Sequence, residues 1–286
     1  MNGFLSGFDL HKRLFCVAGG VTAVAVSVVI VKKLWPRKKT TYPRDTVILH
    51  QIGRGPYAPS LSPYIVKLET YLRMAKIPYQ VSHGMTPSPK GKWPWIEYNG
   101  EVVADSELCI DFLNKKFSIN LNNHLTPFER AVALTARITM EEHAILCHAM
   151  FRYVYDPEVA VIRKAFNIGK LLLWIYKRKA RAALYTAGIG RHTKEEVALF
   201  LERDLQAVSD ILGQKKFLMG DKPCEADCAV FGQLSQLHWH AVGNELETIL
   251  KDKFPSLAAY CERVKAAYWP DWDDCTTRGF TAKATK

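Results

Sequence analysis

The stretch that most limits what this chain can fold into runs from Arg54 to Val81, RGPYAPSLSPYIVKLETYLRMAKIPYQV. A short apolar run precedes it, Thr46 to Ile52, with the length and β-branched content of a strand. Pro56, Pro59 and Pro63 then stiffen the chain, with Ser60 and Ser62 among them. Apolar residues return with helical spacing at Leu61, Ile65, Leu68, Leu72 and Ala75. Pro63 falls in the first turn of that helix, where its missing N–H would be unpaired in any case. A strand must therefore pass into a helix through a rigid turn that presents a serine at the helix start.

The pattern continues in kind. IPYQVSH, from Ile77, reads as a second strand, and WPWIEYNGEVVADS, from Trp93, as a hairpin turning at Asn99-Gly100, a pair suited to two positive φ angles. ELCIDFLNKKF, from Glu107, reads as a second helix. The order β-α-β-β-β-α occupies residues 46–122. Beyond it, over 123–272, the pattern is wholly helical. Thr126-Pro127-Phe128-Glu129 and Thr193-Lys194-Glu195-Glu196 are capping boxes; the first opens a long helix to about Tyr155, and the second a helix ending near Gly213. ADCAVFGQLSQLHW and PSLAAYCERVKAAYW are two further helices. The expected fold class is α/β plus all-α, a small mixed domain followed by a helical one, with a tail over 273–286.

Charge separates a third region. The chain carries a net +11, and residues 1–44 hold eight Lys/Arg against one acid, Asp9, so +7 of the excess lies there. The remainder is only +4, which argues against a nucleic-acid-binding surface. The excess flanks Leu14 to Val31, 18 residues without a charge. As a helix this run is about 27 Å long, close to the roughly 30 Å of a bilayer core, and Leu34 and Trp35 extend it. A cleaved signal peptide is the alternative, but no cleavage pattern stands near its end. The expectation is a tail over 1–13, a transmembrane helix over 14–35 and a basic linker over 36–45. Lys32, Lys33, Arg37, Lys38 and Lys39 outnumber Lys12 and Arg13, which places the large domain in the cytosol. The endoplasmic reticulum and the mitochondrial outer membrane both suit such an anchor. Seven scattered cysteines without paired spacing fit a reducing compartment.

Residues 163–192 contain eight Lys/Arg and no acid. A solvated helix face explains this, and contact with anionic lipid is the sharper reading.

The β-α-β-β-β-α unit followed by helices resembles the glutathione transferase fold, with a thioredoxin-like N-terminal domain. Ser62-Pro63-Tyr64 opens the first helix. Trp93-Pro94-Trp95 resembles the step where that fold keeps a cis-proline. Ala104-Asp105-Ser106 resembles its acidic-Ser turn, which holds the γ-glutamyl group of glutathione. FLMGDKPCEADCAVFGQL resembles its helical-domain cap, with Cys224 in place of the usual Ser or Thr. A closer resemblance is to the failed axon connections family, which includes nematode cadmium-responsive proteins and is related to the metaxins. PSLSPYIVKLETYLRMAKIPYQ, GKWPWIEYNGE, IDFLNKKFSINLN, EEH, GIGRHTKEE, LMG and YCERV carry it, over about residues 45 to 272. It implies a membrane-tethered transferase-like domain, linked to axon development or to stress and metal responses, and a homodimer or a related transferase-like chain as partner.

Several residues then have two readings. Ser62 is either an N-cap or the donor to a glutathione thiolate, with Tyr57 and Ser60 as alternative donors. Trp93 and Pro94 would pair with a glutathione backbone, or the Trp93 and Trp95 rings would block the groove. Asp105 and Ser106 would hold an amino group and a carboxylate, or Ser106 would cap the helix after it. Glutathione is the one ligand implied. His143 and Cys147 stand one turn apart, but two such ligands do not complete a tetrahedral site, so no metal is expected. His238 and His240 read as packing and solvent. The function expected is binding or scaffolding, with a serine-dependent glutathione transferase as the alternative.

Overall fold

The computed structural model describes residues 42–166, 169–278 and 284. The proposed anchor over 14–35 lies outside them. Among the described residues no helix is long and apolar enough to cross a membrane.

The first layer is a four-stranded sheet in the order β2-β1-β3-β4. Strand β1 is Val47–Gln51, β2 Tyr79–His83, β3 Trp95–Tyr98 and β4 Glu101–Ala104. β1 pairs in parallel with β2, and β3 runs antiparallel to both β1 and β4. The hairpin turns as its sequence demands, with φ of 49° at Asn99 and 88° at Gly100. Helix α1, Pro63–Met74, crosses between β1 and β2, and α2, Ser106–Phe117, follows β4.

The second layer is helical. Helix α3, Pro127–Ile138, continues through a π-helical turn, Thr139–Ala144, into α4, Ile145–Met150, and a second π turn, Phe151–Tyr155. The long helix to Tyr155 is present, and widened twice. Then come α5, Ala160–Phe166, α6, Lys170–Thr186, α7, Lys194–Leu212, α8, Glu225–His238, α9, Ile249–Asp252, and α10, Pro255–Tyr268. The capping boxes at Thr126 and Thr193 both form. At α8 the Cys224 thiol gives way to Asp227, whose carboxylate accepts from the Cys224 and Leu218 amides at 2.8 and 2.9 Å.

Helix α1 departs from its amphipathic pattern. Lys67, Glu69 and Thr70 are as buried as the apolar stripe. The sheet covers one side and α8 the other, and α8 approaches closely because Gly232 has no side chain. A Cβ there would stand 2.5 Å from the Pro63 carbonyl and 3.1 Å from the Lys67 amide. Gly232→Ala must push the two helices apart. It should cost roughly 1–3 kcal/mol by overpacking, read as a lower denaturant midpoint. Gly53→Ala, where a Cβ meets nothing within 4 Å, should stay within about 0.5 kcal/mol. Equal effects would contradict this packing.

Candidate functional site

The strand register gathers the predicted groups at one edge. His50 stands opposite Trp95 and Trp95 opposite Ala104. The exit of β1, the entry to β3 and the exit of β4 therefore share one end of the sheet, and α1, the crossover from β1, starts there. Ser62, Pro94 and Asp105 belong to these three segments.

The loop into Ser62 is held from the other domain. His240 Nε2 accepts the amides of Tyr57 and Ala58 at 3.3 and 3.1 Å, which leaves the proton on Nδ1, facing the Gln236 Oε1 at 3.2 Å. A second ring proton would point at two N–H donors. Burial, aided by the charge of Arg152, holds this imidazole neutral, its pKa well below the ordinary value. Gln236 Nε2 donates to the Ser60 carbonyl at 3.0 Å, and Arg152 to the Leu61 carbonyl at 3.2 Å. Trp272 Nε1 donates to the Tyr57 carbonyl at 3.2 Å, and the Thr277 amide to the Gly55 carbonyl at 2.9 Å. The residues expected as a tail from 273 are thus packed against the loop as far as Thr277, with Cys275 fully buried. Gly55 is required here, since a Cβ would stand 2.8 Å from the His240 ring.

Arg152, Gln236, His240 and Trp272 escaped the sequence reading. His240, expected at packing and solvent, is 1% exposed and organises the loop. The available signal was a row of polar residues at helical spacing, Gln233, Gln236 and His240, all three of them buried.

Two capping expectations are corrected. Ser62 holds the N-cap position of α1, with φ −100° and ψ 120°, but its side chain makes no cap hydrogen bond. Its amide instead donates to the Ser60 hydroxyl at 3.1 Å. Asp105, not Ser106, caps α2: its carboxylate accepts from the Glu107 and Leu108 amides at 3.0 and 3.3 Å. It does so at φ 90°, a left-handed conformation that is costly for a side chain with a Cβ. Ser106 is buried as the first helical residue. Ser60 is fully buried and Tyr57 half-buried, its backbone groups committed as above. The Trp93–Pro94 bond is cis, as that step implies. Trp95 stacks on His50 with ring centroids 3.6 Å apart. Trp93 Nε1 is buried and reaches no acceptor among the described residues.

Leu61, beside Ser62, is 7% exposed and packs with Val159, Val161, Ile162 and Leu173. An apolar cover from the segment after Tyr155 thus closes one side of the turn. Beneath it, Tyr64 donates to the Glu141 carbonyl at 2.9 Å, and Lys67 to Glu107 and Glu141 at 2.6 and 2.8 Å.

His143 and Cys147 gain Asp204 as a neighbour, and the three ligand atoms lie within 4.8 Å of one another. His143 Nδ1 and Asp204 Oδ2 already pair at 2.7 Å, and burial pushes the Cys147 thiol up to about 12. The six described cysteines are all buried. Burial also raises Cys109 to about 12 and Cys275 to about 11, so these thiols resist ionisation.

The comparisons with known proteins agree with this geometry. Residues 63–159 match the glutathione S-transferase N-terminal domain and residues 201–264 the glutathione S-transferase C-terminal domain. Failed axon connections of Drosophila melanogaster is 33% identical over 84% of this chain, which spans 62% of that relative's length. An isoprene-epoxide–glutathione S-transferase of Rhodococcus sp. (strain AD45) is 28% identical over 73% of this chain and 94% of its own. Metaxin-2 of Mus musculus is 25% identical over 88% of this chain and 97% of its own. Among solved structures, beta-etherase LigF from Sphingobium sp. strain SYK-6 superposes with a TM-score of 0.55 at 16% identity, covering 77% of this chain and 95% of that one. The last likeness speaks for the fold alone. With a thioredoxin-like domain, a helical domain and these relatives, the chain belongs to the failed axon connections family of glutathione transferase-like proteins, related to the metaxins.

Proposed function

We propose that this protein acts mainly by binding, as a membrane-attached scaffold of transferase fold, and not by turnover. The observation that carries the reading is the closure of the Ser62 turn. Its backbone is committed to the helical domain from Gly55 to Leu61. Leu61 is sealed under Val159, Val161 and Ile162. A thiolate placed there would meet apolar surface, which raises a thiol's pKa and works against activation. Binding is supported elsewhere by exposed apolar side chains, Leu108 on α2 and Phe128, Leu134 and Ile138 on α3. These suit a partner of the same fold, a second copy or a related chain. Membrane attachment rests on the uncharged run Leu14 to Val31 and its basic flanks. The endoplasmic reticulum and the mitochondrial outer membrane are both compatible with it, the large domain facing the cytosol. A place in axon development or in stress and metal responses stays with the family resemblance.

A second reading, a working glutathione transferase, draws on two observations. The Ser62 hydroxyl stands at a helix N-terminus and makes no cap hydrogen bond, and the Trp93 indole beside the cis-proline has a buried donor that reaches no acceptor among the described residues. Asp105 and Ser106 would complete that groove.

Ser62→Ala separates the readings. Because the hydroxyl caps nothing, the substitution should move the unfolding free energy by less than about 0.5 kcal/mol. The full chain should show little or no conjugation of glutathione to a chromogenic electrophile, before or after the change. Robust turnover that falls by roughly 100-fold in a folded Ser62→Ala protein, the scale of a lost oxyanion donor, would establish the transferase instead.

A further inference from the structure

Helix α6, Lys170–Thr186, is seated on the protein by one narrow row. Leu173 and Leu184 are buried, Lys177 and Ala180 half-buried, and every other residue of the helix is exposed. Such a helix normally turns polar residues outward. This one exposes Leu171 at 73%, Trp174 at 57% and Leu172 at 56%, with Ile175 and Tyr176 beside them. The next turn is cationic: Lys177, Arg178, Lys179 and Arg181. The helix is therefore apolar in its first half and basic in its second.

A cavity of about 700 Å³ opens beside this helix. Its walls include Arg163, Lys170, Lys177, Arg178 and Arg181, against a single acid among the described residues, Glu158. Two of these cations are committed. Arg163 pairs with Glu158, and Lys177 donates to the carbonyls of Asp156 and Pro157, both at 3.0 Å. Lys170, Arg178 and Arg181 pair with no acid among the described residues, and neither does Lys179 outside the cavity. The Arg178 guanidinium stands 5.6 Å from the centroid of the Trp174 ring, which joins the basic part to the apolar part.

We propose that α6 docks on an anionic phospholipid surface, with Leu171, Leu172, Trp174 and Ile175 entering the headgroup boundary and the cations holding lipid phosphates at the mouth of the cavity. Each half of the helix asks for a different part of one ligand. The apolar turn needs a non-aqueous phase, and Trp and Tyr are at home at the bilayer interface. The basic turn needs anions at the same depth, which an anionic leaflet supplies. A second copy of this chain is a poor occupant, because a two-fold contact through this face would set its cations against one another. A soluble anion would satisfy the cations and leave the apolar turn in water. The inference depends neither on the Ser62 groove nor on the segment 14–35.

The test reads α6 directly, so that attachment through any other segment does not confuse it. The full chain is mixed with vesicles of neutral phosphatidylcholine, of phosphatidylcholine with phosphatidylserine, or with inorganic phosphate alone. Hydrogen–deuterium exchange is followed over residues 169–186. The amides of α6 should be protected by the phosphatidylserine vesicles alone, and the protection should fade as salt is raised. Replacing Arg178, Lys179 and Arg181 by Gln should weaken the apparent affinity of that protection by roughly 100-fold, the loss expected of three cations near an anionic leaflet. Circular dichroism checks that the exposed substitutions leave the fold intact. Equal exchange with neutral and anionic vesicles, or equal protection by inorganic phosphate, would overturn the proposal. Retention of the chain on phosphatidylserine vesicles with α6 unprotected would support attachment through another segment and reject this surface.

Discussion

Helix α1 has no face left for water, and its polar side chains must find their partners inside the protein. Glu69 is fully buried and accepts from Arg54 at 2.6 and 3.0 Å and from Tyr79 at 3.0 Å. Lys67, two residues earlier and so on the other side of the helix, holds Glu107 of α2 and Glu141 of the π turn, and Arg137 closes the cluster onto Glu141 at 3.0 Å. Removing one partner of such a buried pair costs about 3–5 kcal/mol, because the other charge is stranded. The two clusters do different work. Glu69 ties α1 to the loop before it and to β2, whereas Lys67 ties α1 to the helical domain. The close approach at Gly232 depends on the second, since Lys67 stands at that contact and α8 can press against α1 only if its ammonium need not escape between them.

The same constraint decides what the turn at Ser62 can be. A loop at the edge of a thioredoxin-like sheet would ordinarily be free to rearrange around a ligand. Here His240, Gln236, Arg152 and Trp272 supply its hydrogen bonds, and the chain from Trp269 to Thr277 returns to close it. Trp269 Nε1 donates to Thr70 at 3.1 Å while Arg73 lies 3.9 Å over the same ring. The turn is thus a product of the helical domain. That makes it rigid and well placed for recognition, and leaves little room for the rearrangement that would bring a hydroxyl onto a thiolate.

Much of the fold was legible because it follows local chemistry. The Asn99-Gly100 turn, both threonine capping boxes and the Asp227 substitute for a weak thiol cap are written in neighbouring residues. The cis bond before Pro94 was legible only through resemblance. The site was less legible, for physical reasons that differ by residue. Ser62 has the right identity for a cap, but its hydroxyl makes no bond to an early helix amide, a matter of rotamer and loop path that no pattern states. Asp105 won the capping role over Ser106 by adopting a positive φ, a cost repaid by two amide bonds. The burial of Lys67 and Glu69 is not written locally: the period of α1 shows one apolar stripe, and the helical layer starts some 60 residues later (Pro127). His240 and Arg152 act across separations of 182 and 91 residues, distances at which sequence order carries no geometric information.

The central claim is that the turn carrying Ser62 is built and immobilised by the helical domain. Amide hydrogen exchange of the full chain tests it most directly, comparing Tyr57 and Ala58 with Ile48 and Leu49 in the core strand β1. If His240 holds those two amides, they exchange only when the whole fold opens, with protection equal to that of β1. Fast exchange at Tyr57 and Ala58 while β1 stays protected would mean a loop that opens locally, and would contradict the account.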